Sequence, residues 1–368
     1  MDRFLKKQIK LDLNEKMVFL AGPRQVGKTT LAKSLYHDMD YLSWDIDEGR
    51  TRILSKQYKT HDLWIFDEIH KYTNWRNYLK GLYDQFGKKQ RILVTGSAKL
   101  DILRKGGDSL QGRYHFLRLL PLTFKELKMK TQSDVVNLFN LSGFPEPFFQ
   151  QSQNKCNRWS RTYRERIIRQ EVATNEQIID LGSMEIFYNR LPDIVGGTLS
   201  INSLHEDMQI SHKTLSKWLQ ALERLYAVFR VSAYGPPKIK AIKKEQKLFF
   251  YDWNAIREPG PRFENFVAVH LLKWICNEQD VHGRDLDLRF YRDKVGREVD
   301  FVIIENNQPI LFVEAKYTDS EISKGLKYLK NKFPQVRAVQ THLDGKKEYV
   351  NSDGIEYIHV IKLLDELI

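Results

Sequence analysis

Cysteine is nearly absent. Cys156 and Cys276 are the only two in 368 residues, far apart and in no metal-ligand spacing. That argues against a disulfide framework or a zinc site and fits a reducing compartment. Long apolar runs are also missing: none approaches about 18 residues, so no membrane span is expected. The stretch before Met17 carries basic residues but no long apolar core, so no signal peptide is expected and the reading is cytoplasmic. Acid is in deficit, with 47 Asp and Glu against 59 Lys and Arg, a net charge of +12. This balance favours a polyanionic partner, nucleic acid ahead of an anionic membrane surface, over charge kept for solubility alone. The 42% apolar content excludes a disordered chain. At roughly 100–200 residues per domain, the length implies two or three domains.

What is present begins with "MVFLAGPRQVGKTTLAKSLY", which reads as strand, loop and helix. Gly22, Pro23, Arg24, Gln25, Val26, Gly27, Lys28 and Thr29 match G-x-x-x-x-G-K-[ST] at every position, and Thr30 follows. Such a loop turns backbone N–H groups toward phosphate oxygens of ATP. Lys28 reaches the β- and γ-phosphates, and Thr29 ligates Mg²⁺. A second strand, "DLWIFDEIHK", ends in paired acids. Asp67 is expected to hold Mg²⁺ and Glu68 to orient and deprotonate the attacking water. "RILVTGSAKL" reads as a third strand, with Thr95 and Ser97 at its C-terminal end, where each either senses the γ-phosphate or caps a turn. Arg113 is either an arginine that acts in trans on a neighbouring copy or a plain surface residue.

"GPRQVGKTT", "WIFDEIHKYTNW", "LVTGSAKL", "GRYHFLRLLPLTFKE" and "SGFPEPFF" together resemble AAA+ superfamily ATPases with a C-terminal DUF4143 region. The resemblance continues to the end of the chain. It implies a P-loop AAA+ domain over 1–128 and a PD-(D/E)XK nuclease-like domain over 247–368; the residues between read as a helical connector over 129–199 and a winged helix over 200–246, giving an α/β multidomain protein.

The residues themselves support that order. In the connector, Arg158, Arg161, Arg164, Arg166 and Arg169 make much of a helix surface basic. In "SLHEDMQISHKTLSKWLQALERLYAVFRVSAYG", Ser211 reads as an N-cap. Leu215, Leu219, Leu222 and Leu225 form a buried stripe, and Lys213, Ser216, Lys217 and Gln220 face outward as a DNA-reading helix would. Lys238, Lys240, Lys243 and Lys244 fall in the expected wing.

In "EVDFVIIENNQPILFVEAK", two strands flank a polar turn. If Ile304 pairs with Ile310, Asp300 lies opposite Glu314, and Lys316 shares their face. Like charges so placed need compensation, and a shared Mg²⁺ or Mn²⁺ would supply it. This D-x(n)-E-x-K pattern resembles the PD-(D/E)XK nuclease fold, in which Glu264 would be the helix-borne acid and Lys316 would act on a metal-bound water. The cluster is either a working nuclease site or a structural remnant. The resulting expectation is ATP hydrolysis coupled to a DNA-binding, nuclease-like module. The alternative is a nucleotide-gated switch that docks a protein partner or a second copy.

Overall fold

The computed structural model describes residues 3–87, 89–96, 110–172, 178, 180–235 and 245–367. The chain divides into two compact units. One comprises Met1–Leu120 with Arg224–Tyr226, and the other Pro121–Glu223 with Ala227–Ile368.

The first unit is built on five short strands: β1 (Met17–Ala21), β2 (Met39–Ser43), β3 (Leu63–Asp67), β4 (Arg91–Thr95) and β5 (Tyr114–Arg118). All pair in parallel, in the order β2-β3-β4-β1-β5. Every residue of β1 and β3 is buried. A parallel sheet covered on both faces produces such continuous apolar runs rather than alternation. The helix Trp75–Phe86 packs through Trp75, Leu79 and Leu82, as its spacing predicts. This is an α/β fold whose parallel sheet resembles a P-loop nucleotide-binding core. Gly22 joins β1 to the loop that follows at φ +148°, where a Cβ would lie 2.1 Å from the Leu119 carbonyl oxygen, so only glycine fits.

The second unit carries a mixed sheet of β6 (Val228–Ala233), β7 (Gln246–Phe250), β8 (Leu286–Arg292), β9 (Glu298–Glu305), β10 (Gln308–Thr318), β11 (Arg337–Asp344), β12 (Tyr349–Val350) and β13 (Ile355–His359). Their order is β12-β13-β11-β10-β9-β8-β6-β7. The helical stretch expected over 129–199 folds into this same unit. Trp253 Nε1 donates to the Phe139 carbonyl (2.9 Å), and Asp252 accepts from the hydroxyls of Ser142 (2.6 Å) and Ser160 (2.5 Å).

The helix pair expected from Ser203 onward is present as Ile201–Met208 and His212–Arg224. Ser211 Oγ accepts from the Thr214 amide at 3.2 Å, which caps the second helix as its sequence predicts. Leu215, Leu219, Leu222 and Leu225 are buried, while Lys213, Lys217 and Gln220 are exposed.

The strands after this pair depart from the expected boundary at residue 246. β6 and β7 form no separate sheet. They pair with each other and extend the C-terminal sheet through the short parallel contact of β6 with β8. The physical reason is that β7 is apolar and fully covered from Lys247 to Phe250, so it needs two neighbouring layers. Lys238, Lys240, Lys243 and Lys244 lie outside the described residues, as does Ser97. Among the described residues no helix is long and apolar enough to cross a membrane.

A buried ion pair also holds the second unit. Lys273 donates to Glu126 Oε2 (2.5 Å) and to the Pro121 carbonyl (2.8 Å), with both side chains almost wholly covered. Glu126→Ala would leave the ammonium without its carboxylate. Urea unfolding should show a loss of about 3–5 kcal/mol, the usual cost of an uncompensated buried charge. A loss below about 1 kcal/mol would mean the pair does not anchor this unit.

Candidate active sites

The first site lies at the C-terminal ends of β1, β3 and β4, where open α/β sheets bind ligands. The loop from Gly22 leads into the helix Lys28–Lys33, with Gly27 left-handed at its N-cap. Lys28 is buried, and its ammonium donates to the carbonyls of Gly22 (2.9 Å) and Pro23 (2.7 Å). Val26 is buried, its carbonyl held by Arg3 Nη1 at 2.9 Å; Gln25 and Thr30 are exposed. Gln25 takes a positive φ of 58°.

Asp67, at the end of β3, accepts three hydroxyl donors. Thr29 Oγ1 and Tyr41 Oη reach Oδ2 at 3.0 and 2.6 Å, and Thr95 Oγ1 reaches Oδ1 at 2.6 Å. Thr29 and Asp67 thus meet as a magnesium site requires, and their hard oxygens suit that ion. Thr95 is fully buried and directs its hydroxyl to Asp67. Tyr41 and Arg3 were not anticipated. Tyr41 lies on β2, 26 residues from its partner, and no motif marks it. Lys33 stands 3.8 Å over its ring.

Glu68 holds a left-handed backbone (φ 56°), rare for a non-glycine residue and common at functional sites. Its amide bonds the Thr95 carbonyl at 2.9 Å, and its Oε2 lies 3.6 Å from His70 Nε2 and 3.7 Å from Lys71 Nζ. Burial pushes its carboxyl pKa up, opposed by the charges of Lys28 and Lys71. Arg113 stands at the opposite end of the sheet: its carbonyl accepts from the Met17 amide at the start of β1, and its guanidinium pairs with Asp84 at 2.8 Å.

The second site is a cleft of about 370 Å³ lined by Glu264, Glu298, Asp300, Glu314, Lys316 and Tyr317, with Gly196 and Pro261 at its rim. Glu264 comes from the long helix Pro259–His282 and the other acids from β9 and β10. The hairpin turns on Asn306 and Asn307, both at positive φ (49° and 66°), as a tight two-residue connection demands.

Ile304 pairs with Pro309 rather than Ile310, and Ile310 forms a bulge. The bulge restores the expected alignment beyond it. Phe301 pairs with Val313, so Asp300 stands opposite Glu314. The Asp300 amide donates to Glu314 Oε2 (3.3 Å), and the Ala315 amide donates to Asp300 Oδ2 (3.0 Å). Lys316 pairs with Glu314 Oε1 at 2.7 Å.

No motif marks Lys247. This lysine of β7 is 1% exposed, and its ammonium lies 2.8 Å from Glu264 Oε1, 2.5 Å from Glu298 Oε1 and 3.1 Å from Asp300 Oδ1. Its only sequence signal is a charge beside the apolar run "LFFY", which also reads as a solvated strand end. Where a metal shared by Asp300 and Glu314 is expected, the structure already places one ammonium on each acid. Each of their four carboxylate oxygens already accepts from an amide or an ammonium. Among the described residues no three His, Cys, Asp or Glu side chains are grouped to hold a metal ion.

These features define an α/β protein whose first unit resembles a P-loop nucleotide-binding core and whose second unit has a carboxylate-lined cleft. A family model described as an AAA domain matches residues 14–128, a domain of unknown function (DUF8612) matches 132–254, and a second (DUF4143) matches 259–363. The chain therefore carries an AAA domain with a C-terminal DUF4143 domain, the combination its motifs resemble.

An uncharacterized protein of Mycobacterium tuberculosis is 23% identical over 316 residues, 80% of this chain and 71% of that protein. One of Haemophilus influenzae is 23% identical over 325 residues, 82% and 76% of the two chains. Among solved structures, Thermotoga maritima RuvB aligns with a TM-score of 0.30 at 19% identity, over 62% of this chain and 88% of its own. Aeropyrum pernix ORC1 in complex with DNA aligns with a TM-score of 0.34 at 10% identity, over 68% and 90%. The AAA domain suggests nucleotide binding and hydrolysis.

Burial and the neighbouring Asp300 raise the carboxyl pKa of Glu314 to about 8 and that of Glu264 to about 7, against ordinary values of 4.5. These two carboxyls therefore hold more protons in the folded state than in the unfolded chain, and their contribution to stability falls as pH rises toward about 8; below about pH 6.5 buried His270, whose pKa burial lowers to about 3, contributes with the opposite sign. Urea midpoints of the second unit should decline between about pH 6.5 and 8, and Glu314→Gln should flatten the slope. A midpoint that climbs through this range would contradict the charge arrangement.

Proposed function

We propose that this protein is a magnesium-dependent ATPase whose hydrolysis cycle controls nucleic-acid contact by its second unit. The observation that carries the ATPase reading is the meeting of Thr29 and Asp67 beside the buried Lys28, at the mouth of a glycine-hinged loop. The loop amides and Lys28 bind the β- and γ-phosphates. Thr29 and Asp67 hold the ion, which neutralises charge on the transferred phosphoryl group. Glu68 orients the water and takes its proton, a role that suits a carboxylate whose basicity burial has raised. Arg113, paired with Asp84 away from its own phosphate loop, would reach a phosphate only in a neighbouring copy. A homo-oligomer is the arrangement in which it acts.

Nucleic acid is the partner favoured by the net charge of +12 and by the helix His212–Arg224, which exposes Lys213 and Lys217 beside Gln220. A second reading, a nucleotide-gated switch that docks a protein and cuts nothing, is favoured by one observation: Lys247 lies among the acids of the nuclease-like cleft.

Lys28→Ala should weaken nucleotide binding. Glu68→Gln should bind ATP and slow its turnover at least about 100-fold, because phosphate and ion contacts remain while proton transfer is lost. Equal turnover in all three proteins would remove the ATPase reading.

Duplex DNA affinity should fall steeply with salt. The Lys213→Ala/Lys217→Ala double variant should lower the slope of log affinity against log salt by about two. An unchanged slope takes this helix out of the interface.

A further inference from the structure

The acids of the cleft carry a formal excess of charge that something must offset. Four carboxylates (Glu264, Glu298, Asp300 and Glu314) face two ammonium groups, Lys247 and Lys316, and the Arg292 guanidinium, 3.9 Å from Glu298 Oε2. The two lysines differ in kind. Lys316 is 39% exposed at its side chain and pairs with Glu314 at 2.7 Å. Lys247 is sealed from solvent and bonds three carboxylates from two different elements, the helix Pro259–His282 and β9. Its ammonium also lies 5.7 Å from the centroid of the Phe290 ring, whose π face favours a cation. Its distances of 2.5 to 3.1 Å to three separate oxygens form a converging set, the kind a bound cation gathers around itself.

We propose that Lys247 is a built-in cation: its ammonium fills the place between Glu264, Glu298 and Asp300 that a divalent metal would otherwise take, so the wild-type cleft holds its acids together without metal. A tethered ammonium provides one positive charge and up to three N–H donors at fixed positions, but no open coordination site and no metal-bound water. The cleft therefore lacks the group that would activate water against a phosphodiester. This inference is independent of the ATPase reading, since ATP turnover does not enter its test. It gives the partner-docking reading its chemical basis.

The experiment is a Mn²⁺ titration of the nucleotide-free full chain, followed by the electron paramagnetic resonance signal of free aquo-Mn²⁺. The proteins are wild type, Asp300→Asn, Lys247→Met and Lys247→Met/Asp300→Asn. Any Mn²⁺ held elsewhere is common to all four, and the Asp300→Asn comparisons isolate the cleft. Wild type and Asp300→Asn should bind alike. Lys247→Met should gain one Mn²⁺, at least about tenfold tighter than any wild-type binding, through the hard oxygens it uncovers, and the double variant should lose it.

A wild-type Mn²⁺ that Asp300→Asn abolishes would overturn the proposal, as would a folded Lys247→Met with no gain. If Lys247→Met is unfolded in chelator and folds on adding Mn²⁺, the proposal is upheld, because the metal has then replaced the ammonium. If it folds in neither condition, wild type against Asp300→Asn decides alone, since that pair does not depend on the variant.

Discussion

A carboxylate taken out of water must be given something in return, and most of the second unit follows from how that is done. Glu264, Asp300 and Glu314 are each more than nine-tenths covered. Removing a charge from water costs several kcal/mol unless a partner lies within hydrogen-bond range. Lys247 is that partner for two of the three. It can serve only if β7 is anchored in the sheet that carries Asp300, and this accounts for an eight-stranded sheet in place of a small separate wing. The short parallel contact of Ser232 and Ala233 with Arg289 and Phe290 is the seam that makes this possible. The acids of one segment and the ammonium of another thus lock together two stretches that differ in sequence character.

The nucleotide site was open to reading from sequence because its parts are contiguous. Eight successive residues from Gly22 to Thr29 specify the loop, and an apolar strand ending in Asp67 and Glu68 specifies the acids. What could not be read there were partners distant in the chain. Arg3 reaches the Val26 carbonyl from 23 residues away, and Tyr41 reaches Asp67 from 26. Thr95 was visible as a polar residue at a strand end, but not the direction of its hydroxyl, which depends on the pairing of β4 with β3.

In the second unit the hairpin was readable to within one residue. The period-2 pattern places Asp300 and Glu314 on a shared face, and the bulge at Ile310 absorbs the difference between an Asn-Asn turn and the assumed pairing. Lys247 was not readable, because its partners lie 17 and 53 residues away and its own neighbours are ordinary strand residues. A compensating charge of this sort is set by tertiary position, for which a single sequence has no periodic signal.

The two acid sites solve the same problem by opposite means, and the difference decides what each can do. Around Asp67 the donors are hydroxyls of Thr29, Tyr41 and Thr95. A hydroxyl satisfies a carboxylate lone pair and adds no charge, so the acid keeps its full attraction for a cation. A hydroxyl can also rotate to accept or donate as its surroundings change. Lys28, meanwhile, rests on the Gly22 and Pro23 carbonyls, neutral acceptors that a phosphate oxygen readily replaces because it offers a charge-assisted bond in their stead. Asp67 and Lys28 thus have neutral hydrogen-bond partners that a cation and a phosphate can replace, which suits the proposed Mg²⁺ and nucleotide. Around Asp300 the donors include ammonium groups, which cancel charge as well as bonding it. An acid so neutralised is stable without metal and has correspondingly little left with which to draw one. The same residue type is in this way kept available for chemistry in one unit and committed to structure in the other, and what separates the two is whether the nearest donor is a hydroxyl or an ammonium.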